Sequence, residues 1–306
     1  MLKRILFVLV LILPLFASAQ RNKRYKWEAC IGIGAANFLG DLGGANQIGT
    51  NGIRDLEVIL TKPSISVTAR YRKGRYWGYR AGFYWGQVSG YDYLTTERYR
   101  HNRNLHFKSH IFEFSAIGEL YLTKERAGHV YKYKSLKGWR HIDIQTYFFG
   151  GVGGFYFDPK GSYYGTWLSL QPLGTEGQGV KPGMKKYSRV SVCIPLGIGF
   201  KYSLDRRWGI GIEYGLRKTF TDYIDDVSTV YYDPAEIAAA NGSLGAAAVF
   251  FANPSQNEIT AANNDGINPT AIGQQRGDAT DNDSYMFVHV TVNYKIGKFR
   301  KTKSKF

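Results

Sequence analysis

Cysteine occurs only twice and methionine three times in 306 residues. Two cysteines permit one bridge at most, which excludes a disulfide-framed secreted module. Proline is also sparse, at nine. Acidic residues are the scarcer charge, 24 against 40 Lys and Arg, so the formal net charge is +16. After residue 20 no apolar run comes near the ~20 residues that a helical span requires. A barrel strand needs only ~9–11 residues and is not excluded by that absence. The chain has no G-x-S-x-G, H-E-x-x-H or P-loop pattern, which removes the common serine-hydrolase, zinc-protease and nucleotide-binding chemistries.

Aromatic residues and glycine are plentiful: 23 Tyr, 18 Phe, 6 Trp and 36 Gly. Disordered chains are poor in aromatics, so this is a folded protein. Aromatic strands punctuated by glycine turns point to an all-β architecture.

The first residues read as a targeting segment. Lys3 and Arg4 precede an apolar run from Ile5 to Phe16, and Ala17-Ser18-Ala19 forms a small-residue cleavage site. Residues 1–19 are therefore an expected signal peptide. The rest divides into a β-domain over 20–297 and a basic tail over 298–306.

A period of two runs through that β-domain. Met286, Val288, Val290, Val292 and Tyr294 fall on one face, and Phe287, His289, Thr291, Asn293 and Lys295 on the other. Such alternation marks a β-strand. The same reading holds near 27–35, 65–71, 77–85, 112–122, 142–152, 190–202 and 208–217, which makes eight strands. Alternation also describes a soluble sandwich, the alternative at this point. Long strands favour a membrane barrel. So do aromatics near strand ends on the apolar face, among them Trp27, Tyr71, Trp77, Tyr202, Trp208 and Tyr294. Short links at 72–75 and 205–206 alternate with long ones at 37–64, 89–106, 158–187 and 218–284. The expected fold is an eight-stranded antiparallel up-and-down transmembrane β-barrel with long extracellular loops.

The inward face then carries Glu28, Arg70, Arg80, Glu113, Glu119, Asp143, Lys201, Glu213 and Arg217, with Lys295 beside them. Eight strands enclose little more than their own side chains, so these charges are expected to pair and plug the lumen. The competing reading is an ion or solute channel. Cys30 and Cys193 fall on the same face as two free thiols. His289 is inward and mid-strand, with no serine beside it in a catalytic context. No catalytic set, metal site or cofactor is expected. Asp222, Asp225, Asp226 and Asp233 offer oxygen ligands of the kind calcium takes, but their spacing is not that of an EF-hand, and turn formation is the expected role. Residues 235–252 suit a short helix, and 253–283 reads as a mobile surface loop.

The link 123–141 is long for a periplasmic turn and very basic, with Lys124, Arg126, Lys132, Lys134, Lys137 and Arg140. With the tail it makes that side strongly positive. An exported barrel argues against nucleic acid as partner. Anionic lipid headgroups or an acidic protein face fit better.

Several segments resemble a Bacteroidota outer-membrane β-barrel family that includes PorG of the type IX secretion system. They are Ile31–Gly43, Tyr79–Gly86, Phe148–Pro159 and, most specifically, the T-D-Y-I-D-D-V run with Thr221, Asp222, Tyr223, Asp225 and Asp226. The resemblance implies an outer-membrane protein; the leader read from residues 1–19 and the missing catalytic motifs add the expectations of a cleaved signal peptide and of no enzyme activity. The resemblance also implies an anchor or scaffold for PorK/PorN-type periplasmic ring proteins. Lys124, Arg126, Lys132, Lys134, Lys137 and Arg140 then become the candidate docking residues. The alternative is a small porin-like or adhesion barrel whose surface loops do the binding.

Overall fold

The computed structural model describes residues 26–42, 61–123, 144–205 and 207–297. Ten strands occur among them: β1 (Trp27–Leu39), β2 (Lys62–Arg72), β3 (Trp77–Tyr91), β4 (His106–Tyr121), β5 (Ile144–Tyr156), β6 (Pro159–Tyr163), β7 (Thr166–Ser169), β8 (Val190–Ser203), β9 (Trp208–Thr219) and β10 (Ser284–Ile296). Eight of them close a ring in the order β1-β2-β3-β4-β5-β8-β9-β10, every pair antiparallel, with β10 returning to β1. β6 and β7 are the exception. They form a hairpin that pairs with the upper end of β4 and extends the wall beyond the barrel.

Alternation sets the two faces. Along β4, Phe112, Phe114, Ala116 and Leu120 are exposed, while Glu113, Ser115, Ile117, Glu119 and Tyr121 are buried. β2 and β3 repeat the pattern. Ile31, Ile33, Val67, Phe83, Phe114, Val152, Leu196, Ile212 and Val290 thus form a continuous outward apolar band. No monomer in water presents a belt of that size around its whole girth. Ring closure leaves none of the eight barrel strands with an open side, as the hydrocarbon layer demands. The chain is a membrane-spanning barrel. Trp27 packs on Tyr71 with ring centroids 5.0 Å apart, and Trp208 on Tyr294 at 4.8 Å, at the end with the short turns. These rings are the lower aromatic girdle.

At the other end the links fold over the mouth. Helices α1 (Arg98–Arg103), α2 (Pro234–Asn241) and α3 (Gly245–Ala252) lie there. Asp233 caps α2 by accepting from the Ala235 amide at 2.8 Å, and Pro234 supplies its first turn. Gly242 ends it at φ +52°, a left-handed value that suits glycine. The expected helix at 235–252 is therefore two short ones, broken at Gly242–Leu244. The stretch 253–283 does not stand free. It is tied in through bonds such as Tyr231 N to Gln274 O (2.9 Å) and Arg276 N to Thr229 O (2.8 Å). Polar composition marked it as a loop but carried no sign of these long-range bonds.

Strands extend further toward this cap than alternation indicated. β3 runs to Tyr91 and β4 begins at His106. Near the mouth both faces are covered, so Val88, Ser89 and Gly90 are all buried and the contrast that reveals a strand is lost.

Candidate functional site

The lumen is the densest cluster of charge. Four carboxylates, Glu28, Glu113, Glu119 and Glu213, meet five cations, Arg70, Arg80, Lys201, Arg217 and Lys295, all buried. Neighbouring strands place them by register: Glu28 opposes Arg70, which opposes Arg80. Lys201 holds Glu28 at 2.5 Å, and Arg70 reaches the same carboxylate at 3.5 Å. Arg70 also binds Glu119 at 2.8 Å and Glu213 at 3.0 Å. Arg80 binds Glu213 at 2.5 Å. The Tyr121 hydroxyl donates to Glu119, and that of Tyr147 to Glu213. Nearer the cap Arg217 meets Glu113 at 3.1 Å, and the Tyr285 hydroxyl donates to the same oxygen at 3.1 Å.

Aromatic faces complete the seal. Arg80 lies 4.8 Å from the Phe149 ring centroid, and Arg217 lies 4.5 Å from that of Phe287. Above them Phe38, Phe107, Ile111, Phe155 and Phe157 form an apolar layer. The charges pair with one another across the lumen. Of the charges assigned to the expected plug, Asp143 lies outside the described residues, and every other one is buried in the lumen. Lys295 donates to Ser203 at 2.9 Å. Cys30 and Cys193 are free and buried in the wall.

His289 departs from expectation. Ser64 Oγ lies 3.0 Å from its Nε2, so a serine does accompany it. The two come from β2 and β10, far apart in sequence, and no local motif announces them. Both are 2% exposed, and Tyr84 and Phe287 pack against the imidazole. The pair is enclosed within the lumen and packs against these rings.

The cap holds a second polar core, and here the T-D-Y-I-D-D-V run finds its place. Asp226 adopts φ +67° and accepts from Thr175 Oγ1 at 2.6 Å and the Tyr187 hydroxyl at 2.7 Å. Tyr223 stacks on Tyr187 at 4.6 Å. Asp225 accepts from the amides of Leu42 (3.1 Å) and Val227 (3.0 Å). Thr221 offers its carbonyl to the Asp283 amide at 3.0 Å. Buried Arg276 joins Glu176 at 2.8 Å and donates to the Asp226 carbonyl at 2.7 Å, which locks two loops together. Arg103 bridges Asp92 (2.7 Å) and the carbonyls of Asp41 and Arg276 (2.9 and 2.6 Å).

Asp41, Asp222, Asp225 and Asp283 converge in this core. Burial pushes Asp222 up to about 8, against the hydrogen bond from Ser228. Burial and then the like charge of Asp225 and Asp222 raise Asp283 well above the ordinary range. Asp225 is raised by burial and by Asp41. Among the described residues Oδ2 of Asp222 and Oδ1 of Asp283 have no hydrogen-bond partner, which favours the protonated acid. Among the described residues no set of His, Cys, Asp or Glu is arranged to hold a metal ion. Beside this core a groove of about 560 Å³ opens to solvent, lined by Tyr99, Arg100, Asn264, Ile267, Gln274 and Asp278.

Lys124, Arg126, Lys132, Lys134, Lys137 and Arg140 lie outside the described residues, as do 1–25 and the tail 298–306.

No curated protein matches the chain. Among solved structures it is similar to Ail, the attachment invasion locus protein of Yersinia pestis, in complex with the heparin analogue sucrose octasulfate. Identity there is 9%, over 89% of this chain and 98% of that one, with a TM-score of 0.36. It is similar to Neisserial surface protein A at 9% identity, over 88% and 97%, with a TM-score of 0.36. It is also similar to the outer membrane protein OprG from Pseudomonas aeruginosa at 12% identity, over 90% and 98%, with a TM-score of 0.34. These likenesses are too distant to carry a function across. Residues 3–160, just over half of the chain, match one sequence family throughout, and the chain belongs to that family, described as a domain of unknown function, DUF6089.

Proposed function

We propose that the protein is a non-enzymatic outer-membrane anchor or scaffold, and that the apparatus it serves is type IX protein secretion. The observation that carries the anchor reading is the filled lumen. A barrel closed from Lys201–Glu28 up to Arg217–Glu113 offers no conduit, so its work falls to the surfaces it displays. The secretion role rests on the resemblance to the PorG-containing family. The partners it names are PorK/PorN-type periplasmic ring proteins. Charge and topology, rather than the resemblance, suggest the docking surface: the basic set Lys124, Arg126, Lys132, Lys134, Lys137 and Arg140, reached through complementary charge on the partner. Export by a signal peptide cleaved after Ala19 belongs to the same reading.

The test is a pull-down of tagged protein from gently solubilised envelopes, with mass spectrometry of what is bound. Ring subunits should be recovered, and neutralising those six basic residues should release them. A barrel recovered alone, folded and in good yield, would overturn the secretion role and leave the fold standing. One observation favours a second reading. The groove beside Tyr99 and Asp278 is of a size that holds small ligands, and it fits a loop-borne adhesion function.

A further inference from the structure

One stretch of the outer wall carries more cations than acids to answer them. On β4, His110 and Lys108 continue the outward series of Leu120, Ala116, Phe114 and Phe112 toward the cap. Lys108 pairs across the strands with Lys160 of β6. Like charges directly opposite one another in a sheet repel and destabilise it. Arg189 stands beside them. Asp158 is the local acid, and it is shared: Arg189 takes it at 3.0 Å and Lys160 at 3.6 Å. Among the described residues no carboxylate pairs with Lys108. Its Nζ sits 3.5 Å from the Trp167 ring centroid instead. His110 stacks on Trp85 at 5.9 Å. By contrast, outward Lys218 on β9 is answered by Asp281 at 3.2 Å.

Height along the wall says what meets this patch. A rise of ~3.4 Å per residue at ~40° tilt gives ~2.6 Å of height per residue. Leu120 opposes Trp77 in the lower girdle. Phe112, eight residues on, is then ~21 Å above it, and His110 lies at the top of an apolar band ~25 Å tall. Lys108 and Lys160 stand ~5 Å beyond that edge, in the headgroup layer. Trp167 and Tyr156 beside them are residue types that favour that layer.

We propose that the β4–β6 wall, through Lys108, Lys160 and Arg189, binds the phosphate of an anionic lipid headgroup in the leaflet at the long-loop end. The phosphate oxygens accept from the two ammonium groups and the guanidinium, and the headgroup anion removes the repulsion between Lys108 and Lys160. This goes beyond the anchor reading and rests on the barrel spanning a membrane, not on any role in secretion.

The test uses the full purified chain in detergent and native mass spectrometry with two probes: diphosphoryl lipid A, and the same lipid stripped of its phosphates. The phosphorylated lipid should be retained about fivefold or more over the stripped one, the scale of one lysine near a charged surface. Lys108→Gln with Lys160→Gln should bring the two to parity. Equal retention of both lipids by the unmodified protein overturns the proposal, as does a preference that survives the double substitution. A double variant that loses its heat-dependent gel shift has not folded, and then the unmodified protein decides alone. Its preference should vanish at about 0.5 M salt, where screening reaches only a few Å, and a salt-independent preference overturns the proposal. A chain that inserts into liposomes without discriminating counts against this site only. A chain that fails to insert counts against the membrane reading.

Discussion

Ile212 and Glu213 are adjacent on β9 and point to opposite worlds. Ile212 is 48% exposed on the lipid-facing wall, while Glu213 answers Arg70 and Arg80 inside. Ile212→Arg should cost about 2–4 kcal/mol in the bilayer. Glu213→Gln leaves two buried guanidinium groups short of a charge, and breaking such a pair costs about 3–5 kcal/mol. The amide still accepts a hydrogen bond, so the lower end of that range is expected. Reversible denaturant unfolding in lipid vesicles measures both, and a harmless Glu213→Gln would show that the arginines have other partners. Cys30 and Cys193, 4% and 0% exposed, should resist a thiol reagent in the folded barrel and both react after unfolding. Labelling of either in the folded state would contradict the wall assignment. The face was readable for these residues because a strand has a period of two. The Ser64–His289 contact was not, since it depends on which strands become neighbours across the β1 gap.

At the scale of elements, the barrel strands and the cap differ in legibility. Alternation exposed every barrel strand, but the β6–β7 hairpin is too short to show one, with Pro159–Tyr163 and Thr166–Ser169 spanning only five and four residues. The cap is held by side chains that meet across long sequence separations, such as Glu176 with Arg276. Composition alone reads such a region as loop. Arg276→Ala should free the cap while sparing the barrel. Limited proteolysis should then cut within 220–283 many times faster, with the heat-dependent gel shift intact. The acid core gives the cap a pH dependence of definite sign. In the unfolded cap the carboxyls titrate near 3.8, whereas burial holds Asp222 at about 8 when folded. Between those values the folded cap binds more protons than the unfolded one, so its stability falls as pH rises. Cap proteolysis should therefore be slowest near pH 4 and quicken toward pH 8. Asp222→Asn with Asp283→Asn should flatten that profile, and an unchanged profile would place the titration elsewhere.

For the molecule as a whole, the filled lumen predicts a silent barrel: planar bilayers containing the intact protein should show no steady conductance. Discrete open events of long duration would instead favour transport. The overall plan was legible because the membrane imposes it. Apolar residues must face out, charges must face in and pair, and short turns must alternate with long loops. The cap escapes that constraint, so its packing follows no period. Ring closure between β1 and β10 has one more consequence, which concerns how the chain is made. The residues that seal the seam, Trp27–Leu39 and Ser284–Ile296, stand at opposite ends of the described chain. Until the last strand arrives, every earlier strand belongs to an open sheet with two raw edges. Pairing at such separation is slow, because the loop must be ordered before the contact repays it. A ribosome that stalls before Ser284 therefore yields a product that cannot finish. Biogenesis of this barrel is in effect proofread by its own final strand.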